Sequence, residues 1–145
     1  MKIKPRFVID TNVLLVSISG KSQYHWIFQG LLNQEFEIAF TTEILSEYEE
    51  IIAAKYSPSV AQNVIRTLLV LPNAVQTVVY YNWCLLSDDD DNKFVDCAVA
   101  ANVDAVSSRM INISNFNILA TIPFPSVHVI DIQNLKDMLK LQGRK

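Results

Sequence analysis

The chain has 145 residues, half of them hydrophobic and 19% charged, with three glycines and five prolines. That is the size and balance of one globular domain with a real core, so residues 1–145 are read as a single domain and not as a disordered or repetitive chain. A net charge of −3 excludes a protein whose whole surface clings to nucleic acid, and leaves room for a local site of either sign.

In chain order, Arg6 to Ile9 is a short β-rich run that ends on a carboxylate, Asp10. Val13 to Ile18 continues apolar and opens a helix, for which Asp10 or Thr11 suits the N-cap. Ser22 to Leu32 carries Tyr24, Ile27, Phe28, Leu31 and Leu32 at helical spacing, and Phe36 to Phe40 is a second strand. Thr41 and Thr42 offer caps for a helix whose buried face is Ile44, Leu45, Tyr48, Ile51 and Ile52. Ser57-Pro58 ends it and starts another helix that runs to about Leu71, where Pro72-Asn73 breaks the pattern. Val75 to Tyr80 reads as a third strand. A loop of four aspartates, Asp88 to Asp91, leads into a helix from about Asn92 to Asn102. Ala105 to Ser107 and Val127 to Ile130 are the fourth and fifth strands, and Asn134 to Leu141 a closing helix; Ile113 to Ile122 fits neither pattern. Strands alternating with helices imply βαβ units and a mostly parallel sheet covered on both faces, with sites at the carboxyl ends of the strands.

Cys84 and Cys97 stand in apolar surroundings outside any CxxC or His-rich cluster. They read as buried free thiols in a reducing compartment, and zinc is not expected. The basic N-terminus is followed by an apolar stretch too short for a signal peptide, and no apolar run approaches the ~18 residues of a membrane helix. The expectation is a cytoplasmic protein without membrane contact.

Three carboxylates draw the chemistry. Asp10 ends a strand and precedes a turn, which suits either a helix cap or a ligand. Glu47 lies beside Ile44 and Ile51 at the edge of an apolar helix face, where a solvated border residue is the bland alternative. Asp96 interrupts Phe94-Val95-Asp96-Cys97-Ala98-Val99-Ala100-Ala101, apolar nearly all round. A charge in a buried helix is costly unless paired, here with Lys93 or Arg109, or bound to a cation. Helical side chains lean toward the N-terminus, so Asp96 reaches back toward Asp91, the expected N-cap. Carboxylates converging at a strand end suit a hard divalent cation, magnesium or manganese, and phosphodiester hydrolysis is the chemistry that follows.

These stretches resemble a family. Val8-Ile9-Asp10-Thr11-Asn12 is similar to the opening motif of PIN (PilT N-terminus-like) domains, and Thr42-Glu43-Ile44-Leu45-Ser46-Glu47-Tyr48 to their second acidic motif. The stretch from Asp88 to Ala101 resembles the third, in the branch of VapC-like toxins of toxin–antitoxin systems. Order and spacing match from about residue 6 to 131. The resemblance implies a three-layer α/β/α sandwich with a sheet of about five strands, and a ribonuclease that uses Mg2+ or Mn2+. It puts catalytic roles on Asp10, Glu47 and Asp96, with Asp91 as an additional metal ligand and Asn12 orienting Asp10. It also implies RNA as substrate, a small antitoxin protein as partner, and a homodimer. The family's fourth motif, a strand followed by Thr-Gly-Asp or Thr-Arg-Asn, is altered. Here the chain reads Val106-Ser107-Ser108-Arg109-Met110. Ser107 or Ser108 stands for the threonine, and Arg109 or Met110 takes the place of the acid. That change weakens affinity for a second ion and leaves Arg109 to contact substrate phosphate.

Two other readings compete. One is a degenerate PIN domain acting as an RNA- or protein-binding module. The other is a phosphatase with a strand-end Asp nucleophile, which usually needs an acid two residues on, where this chain has Asn12. His25 and His128 read as structural. Trp26 and Trp83 read as core or interface, and no glycine-rich phosphate loop is present.

Overall fold

A computed structural model of the protein describes residues 4–84, 89–107 and 129–143. In chain order the elements are β1 (Arg6–Ile9), α1 (Thr11–Ile18), α2 (His25–Leu32), β2 (Glu37–Phe40), α3 (Thr42–Lys55), α4 (Pro58–Val70), β3 (Ala74–Gln76), α5 (Asp89–Ala101), β4 (Ala105–Ser107), β5 (Val129–Ile130) and α6 (Ile132–Gly143). The strands form one parallel sheet in the order β3-β2-β1-β4-β5.

β1 is central because its run is apolar without alternation. Phe7, Val8 and Ile9 are all fully buried, as a strand covered on both faces requires. Phe7 pairs with Ile38 on one side and Ala105 on the other. The chain builds outward from β1 through β2 to β3, then crosses back to β4 and β5. Right-handed crossovers in opposite directions place α1 to α4 on one face and α5 on the other, which gives the three-layer α/β/α sandwich. The direction reverses between β1 and β4, and there the carboxyl ends of two strands leave a crevice.

Arg6 fastens the opposite end of β1. Its Nε meets Glu37 Oε1 at 2.9 Å, its Nη1 donates to the Ala101 carbonyl at 2.7 Å, and its backbone N–H donates to Asp104 Oδ2 at 2.8 Å. Asn73, buried after Pro72, donates to the carbonyls of Leu31 (2.9 Å) and Phe36 (2.7 Å) and so fixes the entry to β3. Thr41 and Ser57 cap α3 and α4 through their side chains, with Pro58 in the first turn of α4.

The main departures from the sequence reading fall at α2, β3, α5 and α6. α2 begins at His25 and not at Ser22, because Ser22 and Tyr24 are spent on turns. β3 stops at Gln76, short of Tyr80. β2 ends at Phe40, whose carbonyl takes the Thr77 amide, and the chain then turns into α3, so Val78 to Tyr80 have no β2 residue to pair with. α5 begins at Asp89, three residues before Asn92, so Asp91 lies inside its first turn and is not its cap. Acids there suit the positive end of the helix dipole. α6 begins at Ile132, just after Asp131, whose Oδ1 accepts the Asn134 amide at 2.8 Å. Val127, His128 and Ile113 to Ile122 lie outside the described residues. No helix among the described residues is long and apolar enough to cross a membrane.

Candidate functional site

Asp10 is the first residue beyond β1 and is only 4% exposed. Its amide donates to the Ser107 carbonyl at 2.9 Å, which ties it to the end of β4 at the point where the strand order reverses. It occupies the N-cap position of α1, and its carbonyl takes the amides of Val13 and Leu14, yet its carboxylate makes no capping bond. The helix therefore does not account for the acid. The carboxylate instead lines a hollow of about 210 Å³ together with Thr11, Asn12, Glu47, Ile51, Asp90, Asp91 and Phe94.

Glu47 is brought to this hollow by its neighbour. Tyr48 is fully buried, and its hydroxyl donates to the Ile9 carbonyl, one residue before Asp10. This bond sets the register of α3 against the end of β1. Both oxygens of Glu47 are engaged: Oε2 accepts the Thr11 hydroxyl, and Oε1 meets Lys93 Nζ at 2.9 Å. Lys93 Nζ also donates to the Asp90 carbonyl at 2.6 Å. One carboxylate thus joins α1, α3 and α5. Ile51, read from the sequence as part of the buried face, is 36% exposed and forms a wall of the hollow instead.

The structure separates the two acids of α5. Five residues of α-helix turn through roughly 140°, so Asp91 and Asp96 face different ways. Asp91 lines the hollow with Asp10 and Glu47, whereas Asp96 lines a second hollow of about 260 Å³ with Thr41, Thr42, Glu43, Thr77, Val78, Val79, Asn82 and Lys93. Asp96 is 5% exposed, and its Oδ1 accepts the Trp83 amide at 3.0 Å. The lysine considered as its partner, Lys93, pairs with Glu47. Ser108 and Arg109 lie outside the described residues.

Burial shapes the titration here. It pushes the Asp96 carboxyl above the ordinary aspartate range; the Trp83 amide opposes the shift and Glu43 adds to it. Burial, then Asp96, raises the Cys97 thiol to about 12, which removes it as a nucleophile. Tyr48 is raised well above its usual value by burial, then by Cys97, Asp10 and Glu47, so its hydroxyl remains a donor. Cys97 is buried as expected, but Cys84 is exposed, because the strand expected to precede it ends eight residues earlier; neither is in a disulfide. His25 is structural: its Nδ1 lies 2.8 Å from the Ser17 carbonyl.

Among the described residues no three His, Cys, Asp or Glu side chains converge closely enough to hold one ion together. The donor chemistry of the first hollow nevertheless fits a hard cation. Its acids offer oxygen only, and an ammonium already sits between a carboxylate oxygen and a backbone carbonyl, the two ligand types such ions take. The sequence reading missed Thr11, Tyr48 and Lys93 as the groups that hold Glu47 and the strand end in place. The signal for Tyr48 was available: a phenol on a buried face needs a partner for its hydroxyl.

Comparison with known proteins bears on the fold and the family. No curated protein matches the chain in sequence. Among solved structures, a chain from the crystal structure of VapBC2 from Rickettsia felis, bound to a DNA fragment from their promoter, superposes with a TM-score of 0.56 at 14% identity, covering 87% of this chain and 98% of that one. The likeness extends to the fold. The PIN domain family model matches residues 6–109, nearly three-quarters of the sequence, a span that contains Asp10, Glu47, Asp91 and Asp96, and the chain belongs to the PIN domain family.

Proposed function

We propose that the protein is a metal-dependent endoribonuclease acting from the hollow of Asp10, Glu47 and Asp91, and that it is the toxin of a toxin–antitoxin pair. The observation that carries this reading is that acids from β1, α3 and α5 line one hollow at the strand reversal of a PIN domain. PIN domains are generally nucleases, and those nucleases generally use divalent metals. The fold shared with a VapBC2 chain supports the toxin role and an antitoxin partner, with a homodimer as the expected assembly.

Mg2+ or Mn2+ would enter this hollow, where Asp10, Glu47 and Asp91 are the carboxylates available to it. When bound, the cation supplies positive charge beside the scissile phosphate and makes water a better nucleophile near neutral pH. The protein's own part is positioning. The Ser107 carbonyl fixes the Asp10 backbone and so keeps the residue at the strand end. Thr11 orients Glu47 through Oε2, and Tyr48 holds α3 to β1. Asn12, exposed at the rim, is placed to orient Asp10 or the substrate. We assign Arg109 to the substrate phosphate, with Ser108 beside it, because both follow β4 directly in sequence. Asp96 we assign to support from the second hollow, in place of direct contact with the cation.

The test is cleavage of a mixed RNA pool by purified protein with manganese, with chelator, and for Asp10→Asn, Asp91→Asn and Asp96→Asn. Metal-dependent cleavage lost in the first two variants is the expected result. No cleavage by folded wild-type protein across several cations would replace the enzyme with a binding module. Cleavage abolished by Asp96→Asn but untouched by Asp91→Asn would return Asp96 to the centre of the site.

A further inference from the structure

We propose that Lys93 is a built-in counter-ion that occupies Glu47 until a divalent cation displaces it, and that the neighbouring hollow, through Asp96, receives its ammonium. The inference rests on the metal-dependent reading above and names a positioning residue for it.

Lys93 is an unusual lysine. Its side chain is 13% exposed, although lysines ordinarily keep their ammonium in water. Its Nζ bonds Glu47 Oε1 at 2.9 Å and the Asp90 carbonyl at 2.6 Å, and lies 5.4 Å from the centre of the Phe94 ring. Carboxylate and carbonyl oxygens are what a hard divalent ion would seek in the same place. An ammonium and a divalent cation cannot share one carboxylate at a few ångströms without strong repulsion. Loading the site is therefore an exchange: the ammonium leaves Glu47 as the ion arrives, and no covalent bond changes.

The second hollow gives the displaced group somewhere to go. Lys93 already forms part of its wall, with Asp96 and Glu43 as the acids and no other basic side chain among its lining residues. Lys93 and Asp96 are three positions apart on α5, hence neighbours on one side of the helix, so the swing needs side-chain rotation alone. Asp96 Oδ1 is met by a neutral amide, that of Trp83, which leaves its charge to be balanced by an arriving ammonium. The arrangement explains why a buried acid is placed beside the catalytic hollow without lining it.

The test is a double-mutant cycle on manganese affinity, read by calorimetry with wild type, Lys93→Met, Asp96→Asn and the double variant, each checked for folding by circular dichroism. Lys93→Gln serves if the Met variant does not fold. Removing Lys93 should tighten manganese binding about two- to fivefold, the range of a partly exposed ion pair. Asp96→Asn should weaken binding about two- to threefold in the wild-type background, and change nothing where Lys93 is absent. Equal dissociation constants in all four proteins, or an Asp96 effect of the same size in both backgrounds, would overturn the exchange and leave the metal site standing. No manganese binding by any of the four would overturn both.

Discussion

The two hollows flanking Lys93 are close in size and each contains carboxylates, yet their acids are answered differently. In the first, Glu47 is met by an ammonium and a hydroxyl, and the backbone of Asp10 is fixed to β4. In the second, Asp96 is met by a main-chain amide among threonines and an asparagine. Lys93 stands on the wall of the second hollow, yet its ammonium goes to Glu47 of the first, so the acid of the first is paired with a cation and the acid of the second with a neutral amide. Buried acids thus have to be ranked by what faces them, since both Asp10 and Asp96 are almost wholly enclosed.

The comparison breaks or sharpens most clearly in catalysis. Asp10→Asn should lower metal-dependent RNA cleavage by about 10²-fold or more, whereas Asp96→Asn should stay within about tenfold of wild type; single-turnover cleavage at saturating manganese separates them. Next in size is Tyr48→Phe. Losing the hydroxyl that holds the Ile9 carbonyl should cost about 1–2 kcal/mol in urea unfolding and loosen the first hollow alone. Thr41→Ala should cost about 1 kcal/mol by uncapping α3; Thr41 lines only the second hollow, so cleavage should hardly change. The smallest effect concerns pH. Because burial holds the folded Asp96 carboxyl above the ordinary aspartate range, the folded state binds that proton more tightly than the unfolded state. Its contribution to stability is thus unfavourable at neutral pH, improves as pH falls through the folded pKa, and levels off below the unfolded one. Asp96→Asn should match or exceed wild-type stability at pH 7, by less than about 1 kcal/mol, and lose that advantage toward pH 4 in thermal unfolding.

Much of the fold was legible because local signals agreed. Arg6 to Ile9 ran apolar into an acid, Thr41 and Ser57-Pro58 marked helix starts, and Ala105 to Ser107 formed the short strand its composition suggested. The limits were those of partners beyond the local window. Val78 to Tyr80 have strand-forming residues, but β2 has already ended at Phe40. The ranking of Asp91 against Asp96 turned on where α5 begins. With a start at Asn92, Asp91 is a cap toward which Asp96 leans; with a start at Asp89, both are on the helix and roughly 140° apart. A run of aspartates does not say which of them begins the helix. The partner of Lys93 was equally hidden, because Glu47 lies on another element and two carboxylates were within its reach.

The bond from the Asp10 amide to the Ser107 carbonyl has a consequence for synthesis. β1 is made well before its second neighbour, β4, which lies about a hundred residues later. At roughly 5–20 residues per second the two strands are made about 5–20 s apart. Until then β1 has β2 on one side only, and Asp10 has no strand end against which to be set. The first acid of the chain is thus among the last parts of its site to be positioned, and a nascent or truncated chain lacking β4 does not carry the hollow that the finished protein does.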